Sequence, residues 1–98
     1  MLVKIHESYR KVVAICDAEL LGKKFEEGLM QIEIKEQFYA GEKKTEAEVL
    51  RIICDFAAED ATFNIVGEKA VRTALKAGVI ENSGVIKILG IPHALVLL

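Results

Sequence analysis

The sequence predicts an α+β fold: one mixed or antiparallel sheet of about five strands with two helices packed on it. Short segments with alternating apolar and polar residues, typical of strands, come in runs near both ends of the chain. Two middle segments repeat their apolar residues every three or four positions, as amphipathic helices do. The resulting order, β-β-β-α-α-β-β, groups strands and helices instead of alternating them, which favours α+β over a doubly wound parallel sheet.

The composition is typical of a single globular domain spanning residues 1–98, with 52% hydrophobic and 29% charged residues. The net charge of -2 argues against a broad electrostatic surface for nucleic acid or an anionic membrane. The first residues lack a signal-peptide pattern, and no apolar run approaches the roughly 20 residues of a membrane span. We therefore expect a cytoplasmic protein. Cys16 and Cys54 lie in apolar-periodic segments and are expected to be buried, reduced thiols.

Three strands are predicted in the first part of the chain, over residues 2–6, 12–16 and 29–35. The first two alternate or are rich in β-branched residues and flank a short polar connection, which predicts a hairpin. Between the second and third strands, Asp17 is predicted to cap one helical turn that stops at Gly22. Residues 36–44 are predicted to form a loop.

Two helices follow. Thr45 and Glu48 have the spacing of a capping box, and the apolar residues behind them share one face, which predicts a helix over about 46–59. Residues 60–67 are predicted to turn, and a second helix to run over about 66–77. Gly78 is a typical helix stop because glycine takes the left-handed conformation without steric cost.

The chain then returns to strands, over 85–89 and 94–98, separated by a predicted corner at Gly90–His93. Pro92 fixes the backbone there and has no N–H for a ladder, and its peptide bond can be trans or cis. The last segment is wholly apolar, so it is either central in the sheet or covered on both faces. A subunit interface is one such cover, which leaves monomer and homodimer both open.

Candidate chemistry is sparse. His6 and His93 are the two histidines, and no metal-ligand spacing accompanies them, so neither a metal site nor a cofactor is predicted. The alternative for both is a solvated or hydrogen-bonded histidine. The serines and cysteines lack the sequence context of catalytic nucleophiles, and whether the protein is an enzyme stays open.

Two further features admit more than one interpretation. Asn64, Gly67 and Glu68 lie at the entry to the second predicted helix, and a helix N-terminus attracts anions. The favoured alternative is that Asn64 is an ordinary N-cap and that Gly67 allows close packing. Four lysines lie in loops beside aromatic residues, as in some RNA-binding surfaces, although neighbouring glutamates favour plain solvated loops. These candidate nucleic-acid contacts are Lys23, Lys24, Lys43 and Lys44.

The chain resembles an archaeal family of uncharacterised proteins, domain of unknown function 424. The similar segments, in order, are "KIHES" at 4–8, "VVAICDAELLGKKFEEG" at 12–28, "FYAGE" at 38–42, "NIVGEKAV" at 64–71 and "GIPHA" at 90–94. The resemblance implies an archaeal cytoplasm and, through an association of the family with genes of translation, an informational role. It supplies no cofactor or catalytic residue.

The sequence therefore leaves two functions open. The first is a non-catalytic module that docks on protein or RNA of the translation apparatus. The second is a small enzyme or anionic-ligand-binding protein that uses His93 with Asn64 and Glu68. His6, Glu68 and His93 are the residues of the resemblance that folding alone explains least.

Overall fold

A computed structural model describes residues 1–97, and its centre is a six-stranded mixed sheet in the order β5-β1-β2-β6-β8-β7. A separate two-stranded sheet is formed by β3 and β4. The α+β class and the mixed sheet predicted from the sequence are confirmed. The strands are β1 (Leu2–His6), β2 (Val12–Cys16), β3 (Lys24–Glu27), β4 (Met30–Glu33), β5 (Glu42–Lys43), β6 (Thr62–Val66), β7 (Ile86–Ile88) and β8 (Ile91–Val96).

The helices are α1 (Glu36–Tyr39), α2 (Glu46–Ala57) and α3 (Glu68–Ala77). The longest, α2, has 12 residues, so within residues 1–97 no helix is long and apolar enough to cross a bilayer. Thr45 caps α2 in the predicted capping box, and Gly78 ends α3 at a φ of 80°.

All strand pairs of the main sheet are antiparallel except β2 with β6, which is parallel. The apolar stripes of α2 and α3 pack on one face of this sheet. Their shared core is built from fully buried side chains of the strands and both helices, among them Val13, Ile15, Val49, Ile53, Phe63, Ile65 and Ala70.

The opposite face of the sheet is covered only in part. There α1 packs against β1 and β2, and the β3–β4 hairpin contacts β7. Together they bury a second core that includes Ala14, Cys16, Ile32, Ile34, Tyr39, Val66 and Ile88.

The segment predicted to turn at residues 60–67 is instead mostly β6, an inner strand. Asn64 therefore lies in the middle of a strand, opposite Ala14 of β2, and does not cap α3. The N-cap of α3 is Gly67, and the helix begins at Glu68. Pairing with strands on both sides outweighs the local preference of Asn for caps and turns.

Residues 17–44 also differ in detail from the prediction. The predicted third strand over 29–35 is observed as β4, and it pairs with β3, which was not predicted, in a hairpin that turns at Gly28 and Leu29 with a Gly28 φ of 62°. The predicted loop over 36–44 contains α1 and the two-residue strand β5. The predicted helical turn after Asp17 is a single 3₁₀ turn over Ala18–Leu20.

The last two strands form a hairpin, with its turn at Leu89 and Gly90. Both residues have positive φ, 51° and 78°, as a two-residue type I′ turn requires. The predicted corner at Gly90–His93 is thus one to three residues late, because Pro92 and His93 lie inside β8, with a trans bond before Pro92. β8 pairs with strands on both edges. The prediction for Leu98 falls outside the described residues.

Candidate functional site

An uncovered part of the main sheet brings together two of the candidate residues, Asn64 and His93. Side chains alternate between the two faces of a strand, and Val66, two positions from Asn64, packs in the core beneath α1 and the hairpin. Asn64 and His93 therefore project to that same side. We call the surface formed by Asn64, Ile86, His93 and Leu95 the open face.

Strand register places these four side chains next to one another. Asn64 is directly opposite Leu95 across β6 and β8, and Ile86 is directly opposite His93 across β7 and β8. Directly opposite Cβ atoms in a sheet lie about 4.5–5.5 Å apart, and Cα atoms of diagonal neighbours about 7–8 Å. Asn64 and His93 are such diagonal neighbours, so their polar atoms can reach one bound group.

The open face is mostly aliphatic and carries no formal charge at neutral pH. Ile86 is 49% and Leu95 53% exposed, while Asn64 and His93 are half-buried. Burial lowers the pKa of His93 below its ordinary value because the charged imidazolium loses solvation. His93 is therefore neutral at pH 7 and offers one nitrogen donor and one nitrogen acceptor.

His6 is part of a different contact. Its Nε2 lies 2.8 Å from the carbonyl oxygen of Phe38, and its ring stacks on the Phe38 ring at a centroid distance of 4.6 Å. The carbonyl can only accept, so Nε2 carries the proton and donates. His6 thus joins β1 to α1, and β2 and β6 separate it from His93 in the sheet.

The start of α3 is occupied by a carboxylate of the chain itself. Asp17, only 4% exposed, accepts from the backbone N–H of Lys69 at 3.1 Å and of Ala70 at 2.9 Å. Gly67 lies against this carboxylate so closely that a Cβ there would overlap it. Two N–H groups that an external anion would use at this helix end are therefore already bonded.

Glu68 lines a concave surface on the helix-covered side of the sheet. That surface also includes Pro92 and Lys87, which pair across β7 and β8 and project opposite to Ile86 and His93. Glu68 is therefore separated from His93 by the sheet. The structure brings Asn64 and His93 together and places His6, Gly67 and Glu68 elsewhere.

The four lysines predicted to contact nucleic acid lie in two separate regions: Lys23 and Lys24 near the β3–β4 hairpin, and Lys43 and Lys44 near β5. Lys24 forms an ion pair with Glu26 at 3.2 Å, and Lys44 one with Glu42 at 2.9 Å. The hairpin contacts β7, whereas β5 is the outer strand at the other end of the sheet. The lysine pairs are thus partly neutralised and sit on different elements.

The cysteines differ in environment. Cys16 is fully buried, and burial together with neighbouring Asp17 raises the pKa of its thiol to about 11, so it stays protonated. Cys54 is exposed, which corrects the prediction of a buried thiol, because it lies beside the apolar stripe of α2 and not within it. Among residues 1–97, no group of three or more His, Cys, Asp or Glu side chains is placed to hold a metal ion.

Comparison with known proteins identifies the family. Residues 5–98 match the family model described as protein of unknown function, DUF424. The crystal structure of an uncharacterized conserved protein from Methanopyrus kandleri is similar, with a TM-score of 0.85 and 26% sequence identity. The similarity covers 96% of this chain and 87% of that one. The search of curated proteins gives no match.

Proposed function

We propose that this chain, which belongs to the DUF424 family of proteins of unknown function, is a non-catalytic module that docks on a protein of the translation apparatus through its open face. One observation carries the proposal: Ile86 and Leu95 are about half exposed at neighbouring positions of a sheet whose other face is covered by two helices. Clustered exposed aliphatic side chains are typical of protein interaction surfaces. The link to translation comes from the family resemblance.

A protein partner fits the open face better than RNA. RNA is bound by cations together with aromatic rings on which bases stack, and the open face has two aliphatic side chains, one amide and one neutral imidazole. A partner with an apolar centre and one hydrogen-bonding group next to it matches this set. Asn64 and His93 then fix the orientation of the partner, while Ile86 and Leu95 supply most of the affinity.

The test is affinity capture from archaeal lysate with the tagged wild-type chain, Leu95→Glu and the control Leu29→Glu. Leu29 is fully exposed at the tip of the β3–β4 hairpin, outside the open face. Burying the exposed half of a leucine is worth about 1–1.5 kcal/mol, so a buried glutamate there is expected to weaken binding roughly tenfold or more. Circular dichroism checks that both variants fold.

The expected result is recovery of ribosomal proteins or initiation factors with wild type and Leu29→Glu, and their loss with Leu95→Glu. Recovery that disappears after nuclease treatment means that RNA is the partner and contradicts protein docking. Absence of translation components, or equal recovery by both variants, rejects the proposal.

A second candidate function, binding of an anionic ligand by His93 and Asn64, is favoured by their diagonal placement on one face. It is tested by following the His93 ring signals by NMR while inorganic phosphate is added to wild type and Asn64→Ala. Saturable shifts that Asn64→Ala weakens support this candidate. If the His93 signals do not change up to about 10 mM phosphate, any Kd is too weak for a useful site, and this candidate function is rejected.

A further inference from the structure

A groove on the helix-covered side of the sheet lies between α3 and the β7–β8 hairpin, with a volume of about 220 Å³. We call it the α3–β7 groove. Its floor is apolar and is formed by Val71, Leu75, Val85 and Pro92. Val71 and Pro92 are buried, and Leu75 and Val85 are half-buried, so the floor is preformed and only partly wetted.

The rim of the groove carries an excess of positive charge. Arg72 and Lys87 face it from opposite walls, and Glu68 provides the one carboxylate among the lining residues. Glu68 and Arg72 are four residues apart on α3, where an exposed pair contributes only a few tenths of a kcal/mol. In the described part of the chain no ion pair within 4 Å joins Glu68 to Arg72, so both Arg72 and Lys87 are available to a ligand carboxylate.

The size of the groove selects between kinds of ligand. Sites for drug-sized molecules and cofactors usually enclose about 300–1,000 Å³, which is more than this groove provides. A side chain or two of an extended peptide needs less space, and the rest of the peptide can stay in solvent. The apolar floor takes an aliphatic side chain, and the cations take a carboxylate next to it.

We propose that the α3–β7 groove binds a peptide segment in which an aliphatic side chain is adjacent to a carboxylate. Arg72 binds the carboxylate with two parallel hydrogen bonds, since its planar guanidinium matches that geometry. The carboxylate can be a chain terminus or an acidic side chain, because both present the same group. This site is separate from the open face and does not depend on the function proposed for it.

The experiment uses fluorescence anisotropy with three rhodamine-labelled peptides and the full chain. One peptide ends in Gly-Ser-Gly-Leu with a free carboxylate, the second is its C-terminal amide, and the third is Gly-Ser-Leu-Glu-Gly amide. If the first and third peptides bind and the second does not, either a terminal or a side-chain carboxylate is sufficient. Binding of the first alone assigns the site to chain termini, and binding of the third alone to acidic side chains.

Charge variants locate the site. Arg72→Gln and Lys87→Gln are each expected to weaken binding roughly twofold to fivefold, the range of exposed ion pairs. Glu68→Gln is expected to strengthen binding, since it removes from the rim a negative charge that repels the ligand carboxylate. The matched control is Lys76→Gln, which removes the same charge from α3 on the side that pairs with Glu46, and it should leave binding unchanged.

Three results would overturn the proposal. The first is no saturable binding of any peptide up to about 1 mM, the weak limit of a useful site. The second is an equal effect of Arg72→Gln and Lys76→Gln, which means general charge attraction. The third is equal binding of the amidated and free-acid forms of the leucine-terminated peptide together with no binding of the glutamate peptide, which excludes carboxylate recognition.

Discussion

Replacing Asp17 with alanine is expected to destabilise the fold by about 2–4 kcal/mol. Its carboxylate holds two backbone N–H groups of α3, those of Lys69 and Ala70, in a position that is only 4% exposed. A hydrogen bond to a charged group contributes about 1.5–3 kcal/mol, and the helix dipole favours an anion at this end by about 0.3–1 kcal/mol. The cost of burying the carboxylate reduces the sum of these contributions, and the contributions of the two hydrogen bonds do not simply add.

The measurement is urea unfolding followed by circular dichroism, with Glu19→Ala as the control. Glu19 is an exposed carboxylate in the 3₁₀ turn next to Asp17, and its loss is expected to cost less than about 0.5 kcal/mol. A domain of this size has a total stability of about 5–15 kcal/mol, so the Asp17→Ala change is a large fraction. An unfolding midpoint and slope for Asp17→Ala equal to those of Glu19→Ala would refute the reasoning.

Gly67 provides an internal check on the same contact. At φ 110° and ψ 158° it occupies a conformation that costs other residues about 1–3 kcal/mol, and an added Cβ overlaps the Asp17 carboxylate. Gly67→Ala should therefore cost more in wild type than in the Asp17→Ala background, where only the backbone strain remains. A double-mutant cycle measures the difference, and strict additivity would contradict the described packing.

Three further predictions concern single elements. Thr45→Ala should lower stability by about 1 kcal/mol in urea unfolding through loss of the capping box, while Ser83→Ala, in an exposed turn, should not. Ile53→Ala, in the core shared with α2 and α3, should lower the free energy of unfolding by about 2–5 kcal/mol, and the same change at half-exposed Ile86 should lower it clearly less. Because burial lowers the pKa of His93, the unfolded chain binds more protons, so stability falls as the pH drops through about 6.5. Unfolding midpoints measured between about pH 7 and 5 should fall less for His93→Gln than for wild type, and identical slopes would contradict this.

The sequence predicts best where the determining contacts are local. The capping box at Thr45 and the left-handed stop at Gly78 involve residues within one or two helical turns, and both are confirmed. The I′ turn at Leu89 is harder to predict because leucine is uncommon at positive φ. Its hairpin is closed by cross-strand pairing and by the Leu89 N–H, which donates to Glu27 of the neighbouring hairpin at 2.8 Å.

β6 is missed because its middle residue, Asn64, has a local preference opposite to the role it plays. The available signal is the alternation of Phe63 and Ile65, which both point into the core. Without β6, the adjacency of Asn64 and His93 cannot be predicted, since it follows from strand register. The Asp17 contact is equally hidden, as its partners lie more than fifty positions away in the chain.

The parallel pairing of β2 with β6 also bears on how the chain assembles. Thr62 lies fifty positions after its partner Val12, whereas the β1–β2 and β7–β8 pairs are hairpins with short connections. Closing the long connection costs about 2 kcal/mol more chain entropy than closing the β1–β2 connection. We expect the two hairpins to form early and independently, and the pairings that join them through β6, with β2 on one side and β8 on the other, to form later. β2 and β6 are inner strands with fully buried side chains, so we expect their backbone amides to be among the best protected from hydrogen exchange although their pairing forms late.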